Sequence, residues 1–218
     1  MWNRLRYTFW APVYDALLGA VGFADARRQS IERLRLGNGH RVLIVGAGTG
    51  LDLEYLPTGT DITAIDVTPA MLDRLKRRAA DRGQAVSARV MDARQLAFPD
   101  ASFDAVIMHL ILAVMPEPER GLREATRVLS FGGRIAVFDK FLPNDVRVSV
   151  TRRLLNVIAK ALFSDMNRRF SAMHRGSGLD IEQDSPAAFR GMYRVITLRK
   201  PRSASSATAW RENQSSSA

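Results

Sequence analysis

Cysteine is absent from these 218 residues. That excludes a disulfide framework, a thiolate metal site and a cysteine nucleophile, and it fits a reducing, cytoplasmic setting. Histidine is scarce. His40, His109 and His174 are scattered without the H-x-x-x-H spacing of a helical ligand pair, so no metal site is expected. No stretch approaches the roughly 20 apolar residues of a membrane-spanning helix. The longest charge-free run, Ala105–Pro116, reads as a buried strand leading into a loop. Val13–Gly22 is interrupted by Asp15 and lacks a small-residue cleavage pattern, so a signal peptide is not expected. Acids are the last shortage: 22 against 32 lysines and arginines, a net charge of +10. The excess predicts attraction to anionic surfaces, nucleic acid or acidic substrates, or else arginines spread over ordinary solvated faces.

What is present is organised around RVLIVGAGTGLDL, residues 41–53. A short apolar run ends in glycines at every second position: Gly46, Gly48 and Gly50. This pattern predicts a buried parallel strand, a tight turn and a helix opening behind it. Gly46 permits the turn, Gly48 lets backbone approach a ligand, and Gly50 lets the next helix start close against the strand. Nucleotide-like ligands bind in such crevices above the carboxyl ends of strands.

The chain around this stretch alternates strand and helix. Residues 1–36 predict amphipathic helices divided near Pro12, with Trp2, Tyr7, Phe9 and Trp10 beside Arg4 and Arg6. That composition suits a lid over the core, an interfacial membrane contact, or both. The second helix, Phe23–Leu36, turns Ile31, Leu34 and Leu36 inward. A short helix over Leu51–Leu56 precedes a strand over Asp61–Asp66, and a helix capped by Thr68 and opened by Pro69 runs to Arg82. Further strands are expected over Gln84–Met91, Asp104–His109 and Arg134–Asp139, with a helix over Pro116–Ser130 stopped before Gly132-Gly133. Such alternation demands a parallel sheet covered on both faces. Leu179–Gln183 and Met192–Arg199 predict an antiparallel pair finishing it. Residues 146–175 predict a basic helical insertion, with seven arginines and lysines against the single acid Asp165. Residues 201–218 predict a disordered, serine-rich tail.

The third glycine comes one residue early for a dinucleotide motif, and three further boxes accompany it. They are Asp66 followed by Val67-Thr68-Pro69-Ala70-Met71-Leu72, the Met91-Asp92-Ala93 turn, and Phe98–Asp104 before the fourth strand. With this ordered series, the chain resembles the class I S-adenosylmethionine-dependent methyltransferases, in the group that includes the ubiquinone and menaquinone methyltransferases. The resemblance covers roughly Val13 to Lys140. Beyond the fourth strand, HLILAVMPEPERGLREATRVLSFGGRIAVFDKFLP is similar to the soluble bacterial phosphatidylethanolamine N-methyltransferases.

The resemblance implies an α/β, Rossmann-like, seven-stranded and mostly parallel sheet with its last strand antiparallel, behind an N-terminal helical lid. Residues 37–200 would form the domain that binds the cofactor, S-adenosyl-L-methionine. It implies that Gly46, Ala47, Gly48 and Gly50 pass under the methionine part of the cofactor. Asp66 would accept hydrogen bonds from the two ribose hydroxyls. Val67 and Met71 would pack on the adenine, although Met71 also suits an ordinary helix core. Asp92, for which a plain turn residue is the alternative, would accept from the adenine amino group beside the Ala93 amide. His109 would line the pocket, and the Tyr14-Asp15 pair would close over it. One position departs from the family: Ile44 stands where an acid usually supports the amino-acid end of the cofactor, so either Asp15 or Asp52 substitutes or the cofactor is held less tightly at that end.

Methyl transfer from a sulfonium is an in-line displacement that needs neither a metal nor a covalent intermediate. Candidate bases are Tyr14, His109 and Asp139, with His109 as readily a packing residue. The basic insertion and the aromatic N-terminus point to a phospholipid membrane surface, anionic or zwitterionic, on the inner face of the membrane. The favoured acceptor is a phospholipid headgroup amine. A quinone precursor, a soluble small molecule and a non-catalytic cofactor-binding role remain as alternatives. Nucleic acid is disfavoured, since the basic residues are not interleaved with stacking aromatics. A monomer is expected.

Overall fold

The structure, a computed structural model, describes residues 23–141 and 168–203. Residues 1–22 of the expected lid, with Tyr14 and Asp15, lie outside the described residues. So do 146–167 of the basic insertion and the tail from 204 onward.

Seven strands form one sheet in the order β3-β2-β1-β4-β5-β7-β6. They are β1 (Arg41–Val45), β2 (Asp61–Asp66), β3 (Val86–Val90), β4 (Phe103–His109), β5 (Leu129–Lys140), β6 (Asp180–Ala188) and β7 (Tyr193–Arg199). The strands β1 to β5 pair in parallel. The last strand, β7, is inserted between β5 and β6 and is antiparallel to both. The helices are α1 (Phe23–Glu32), α2 (Pro69–Asp81), α3 (Pro118–Val128) and α4 (Phe170–His174), with a 3-10 turn over Leu51–Tyr55.

The strands are apolar on both sides because both sides are covered. Side chains alternate in direction along a strand. Leu43 and Val45, Val106 and Met108, and Ile135 and Val137 therefore join one cluster with Leu122, Val128 and Phe170 from α3 and α4. Val42, Ile44, Ala105, Ile107 and Ala136 face the other way, onto Ile31, Leu53, Leu72 and Leu75. This two-sided burial is what makes a parallel sheet read as continuous apolar runs.

Several boundaries differ from expectation. The third helix begins at Pro118 rather than Pro116 and ends at Val128, and β5 starts at once with Leu129, ahead of Gly132-Gly133. Those glycines do not stop the helix. A Cβ on Gly133 would sit 2.8 Å from the Asp104 carbonyl oxygen, so glycine there permits close approach to β4. The abrupt helix-to-strand change is held from a distance, by Lys200 Nζ donating to the Thr126 and Leu129 carbonyls at 2.7 and 2.6 Å. The sixth strand runs on to Ala188, carrying Pro186 on a sheet edge where a missing amide is tolerated, and a tight turn at Phe189–Gly191 replaces the expected loop. Helix α1 ends at Glu32, four residues short of Leu36. Thr68 stands at the N-cap of α2, but its side chain makes no capping hydrogen bond.

Candidate functional site

The parallel strands end on one side of the sheet, and the glycine-rich turn crosses the end of β1. Gly46 has φ +65°, and a Cβ there would lie 2.6 Å from Ile111 Cδ1. A side chain would thus be strained in the backbone and driven into the loop after β4. Gly48, at φ +54°, has nothing within 4 Å of the Cβ direction. Its open side is a cradle for a ligand. Gly50 makes room on two sides: its Cβ would sit 3.0 Å from Leu75 Cγ of α2 and 3.1 Å from Leu53 Cδ1 of the turn that follows.

Asp66 closes the far side of this turn. Its Oδ2 accepts from the Gly48 amide at 3.0 Å and its Oδ1 from the Thr68 amide at 2.8 Å. Burial pushes the Asp66 carboxyl up, and the amides of Thr68 and Gly48 act against that. The Thr68 hydroxyl and the Val67 amide also donate toward this carboxylate, an acceptor-only group with about four lone-pair sites that further donors would share. A ribose diol supplies two hydroxyl donors. The open cradle at Gly48 and the Asp66 carboxylate beside it together fit a nucleoside ligand. Val67, 46% exposed, and Val90, 52% exposed and the register partner of Asp66, add an apolar edge for a flat ring. Val90 was not among the sequence candidates. An exposed valine at a strand end has no sequence signature until its partner strand is known. Met71, Ala47 and Ala93 are buried around this corner.

Asp92 is engaged differently from expectation. Its Oδ1 accepts from the Arg94 amide at 2.9 Å, and its Oδ2 accepts from Arg94 Nη2 at 2.7 Å. Arg94 Nη1 extends to Glu117 at 2.7 Å. The Arg94 hydrogen bonds hold the Asp92 carboxyl below its ordinary range. The carboxylate is therefore committed to a neighbouring side chain, and an adenine amino group would have to share it.

Behind the glycine-rich turn lies a buried network that the sequence reading missed. Arg27 Nη1 donates to Asp52 Oδ1 at 2.5 Å, and His109 Nδ1 lies 2.8 Å from the same oxygen. A carboxylate only accepts, so Nδ1 carries the hydrogen, and Nε2 is left to Ser30 Oγ at 3.0 Å. All four residues are buried. Burial pushes the Asp52 carboxyl up, but Arg27 and then His109 outweigh it and hold the group well below the usual carboxylate range. A signal was available: Phe23, Arg27, Ser30 and Leu34 recur at helical spacing, so Arg27 and Ser30 share the apolar face of α1.

This network corrects two expectations. His109 ends β4 with both ring nitrogens bound to protein and its ring edge-on to Phe138 at 5.9 Å, so it does not stand as a free base facing an acceptor. Asp52 directs Oδ1 to Arg27 and His109, while Ile44 is packed in the core, so Asp52 does not stand as a free substitute for the usual acid; Asp15 lies outside the described residues.

Asp139 is buried at the end of β5. Oδ2 accepts from the Ala113 amide at 2.9 Å and Oδ1 from the Lys140 amide at 2.8 Å. Burial pushes its carboxyl up to about 6, against the pull of those amides. It ties the loop after β4 to β5. Arg168 ties the same loop from the other side, donating from Nη1 to the Leu112 and Met115 carbonyls.

Comparison with known proteins places these features in company. A family model described as a methyltransferase domain matches residues 43–137, from β1 to β5. A phosphatidylethanolamine N-methyltransferase of Cereibacter sphaeroides is 29% identical over 196 residues, covering 89% of this chain and 95% of that protein. A demethylmenaquinone methyltransferase of Tropheryma whipplei strain Twist is 34% identical over 174 residues, covering 76% of this chain and 70% of its own length. Among solved structures, the cyclase SpnF has a TM-score of 0.76 at 20% identity, covering 92% of this chain and 96% of its own. A Bacillus halodurans protein described as a putative methyltransferase has a TM-score of 0.69 at 19% identity, covering 80% of this chain and 98% of its own. The latter two likenesses are of fold.

Proposed function

The chain belongs to the S-adenosylmethionine-dependent methyltransferases, and we propose that its acceptor is the headgroup amine of a membrane phospholipid, carried from phosphatidylethanolamine toward phosphatidylcholine. The observation that carries this reading is the match to the Cereibacter protein over 95% of that protein's length, well beyond the cofactor-binding core. The basic excess of residues 146–175 and the aromatic and basic composition of residues 1–22 support it, since each cation near an anionic bilayer adds about 1 kcal/mol of attraction.

When bound, the cofactor supplies an electrophilic methyl group on its sulfonium. The chain's residues hold and orient. Gly46, Ala47, Gly48 and Gly50 are assigned to the methionine side, Asp66 to the ribose diol, and Val67, Met71, Asp92 and Ala93 to the adenine. Neither His109 nor Asp139 is assigned as a base: both ring nitrogens of His109 hold protein partners, and Asp139 is buried, where it clamps the loop after β4. An amine needs little help here. Removal from water disfavours its ammonium form, and the neutral nitrogen brings its own lone pair.

A second reading has support in the Tropheryma relative, more identical over a shorter span: carbon methylation of a quinone precursor. One experiment separates them. The protein is given methyl-labelled cofactor with a total lipid extract, total RNA and a water-soluble extract in parallel. Label in a phospholipid is expected. Label in an isoprenoid quinone would establish the second reading, and label confined to water-soluble products or RNA would overturn both. Among the described residues no helix is long and apolar enough to cross a membrane, so contact with lipid would be at the surface.

A further inference from the structure

The antiparallel β7 brings a second feature to the crevice side of the sheet. Lys140, the last residue of β5, pairs with Tyr193, the first of β7. The turn joining β6 to β7 therefore lies at the same end as the glycine-rich turn. It is three strands along, roughly 14 Å at 4.8 Å per strand. Phe189 in this turn is 53% exposed and Met192 is 43% exposed. Phe189 also has φ +49°, a conformation that costs a bulky residue about 1 kcal/mol or more and that glycine adopts freely. A turn selected only to reverse the chain would not place a phenylalanine there and leave its ring in water.

The ring is not loose. Phe189 packs on Tyr193 at 5.6 Å and on Phe23 at 6.1 Å, and Phe23 packs on the fully buried Phe138 at 5.2 Å. Phe189 is thus the outermost member of an aromatic column rooted in the core.

We infer that this turn is a membrane-contact element, inserting Phe189 and Met192 at the headgroup boundary of a phospholipid bilayer. The inference rests on the membrane reading above and adds an element to it. Charge and chain path argue for lipid. Residues 185–211 contain no Asp or Glu, and Arg190 lies in the turn itself. Both basic segments leave the described structure beside the column. Residues 1–22 lead into Phe23, and 142 onward follows Phe141, whose amide donates to the Met192 carbonyl at 3.0 Å. Exposed aromatic and thioether side chains amid cations are the composition of an interfacial contact.

The test is sedimentation of the full chain with vesicles of phosphatidylcholine containing about 30% anionic lipid. The variants are F189S/M192S and, as control, F131S. Phe131 is also 53% exposed but sits at the opposite end of β5, so loss of its ring should not matter. Circular dichroism and the thermal midpoint check folding. The expected result is vesicle binding weakened about tenfold in F189S/M192S and unchanged in F131S. An M192W variant should show a blue-shifted emission on adding vesicles, which reports insertion without relying on a loss. Equal binding by wild type and F189S/M192S would overturn this inference and leave the membrane reading standing. No binding by wild type would overturn both. A dimer in lipid-free ultracentrifugation that F189S/M192S dissolves would reassign the turn to contact between copies and overturn the proposal.

Discussion

Asp52 and Asp139 are buried to a similar depth on opposite sides of β4, and the protein treats them in opposite ways. Asp52, behind the glycine-rich turn, is met by the Arg27 guanidinium and the His109 ring and stays below the normal carboxylate range. Asp139, at the end of β5, meets backbone amides, and burial lifts it to about 6. Amide dipoles soften the desolvation of a buried carboxylate; a guanidinium at 2.5 Å reverses it. The first region is a charge-paired joint between α1 and the cofactor turn. The second is a clamp on a loop.

The largest expected effect comes from breaking the joint. Arg27→Ala leaves the Asp52 carboxylate buried without its cation and should cost about 3–5 kcal/mol, read from the urea midpoint. The double variant R27M/D52N should recover much of that loss. A cost below about 1 kcal/mol would mean that the pair is not a joint at all.

Next come the pH limbs, which should have opposite slopes. The folded value of Asp139 lies above its ordinary 3.8, so its contribution is fully present below about pH 4 and is lost as pH rises through 6. The loss amounts to about 3 kcal/mol by pH 7. Asp52 is depressed, so its contribution is present above about pH 4 and is lost as pH falls below that. Stability profiles of D139N and D52N should each flatten only its own limb. One profile flattening in the other's window would erase the distinction.

Asp66 sharpens the contrast from between the two, being held by backbone amides at the edge of the open cradle. Asp66→Ala should weaken cofactor binding about a hundredfold in calorimetry, two charged hydrogen bonds being worth about 3 kcal/mol. Unchanged affinity would remove Asp66 from the site. Smallest is the surface counterpart of the joint, Arg94 with Asp92. Arg94→Ala should cost under 1 kcal/mol, because a part-exposed pair is screened by water. It should also free Asp92 and leave cofactor affinity equal or improved.

The sheet and the glycine-rich turn were legible because their signals are short-range. Apolar runs bounded by turns gave β2 to the residue, and the glycines after β1 marked the tight turn. The buried network was hidden by residue type. Arginine and serine on the apolar face of α1 read as interruptions until Asp52 and His109, 25 and 79 residues away from Arg27 and Ser30 respectively, supply their partners. The start of β5 was misplaced for a related reason. Glycines next to a helix normally mark its stop, and only the long-range lysine at 200 and the closeness of β4 show that these lie within a strand. Asp92 was legible as a turn acid, but not as the partner of Arg94 two residues on.

The insertion of β7 between β5 and β6 sets an order for synthesis on the ribosome. β5 is complete at Lys140, yet its outer edge finds its partner only when residues 193–199 have emerged. Through that interval an edge flanked by Ile135, Val137 and Phe138 waits without a neighbour, a template for pairing with another nascent chain. β6 emerges earlier but has nothing to pair with until β7 arrives. The sheet is completed only once both of the last two strands have emerged. A chain arrested before residue 193 would display β1 to β5 as an open-edged sheet, prone to self-association.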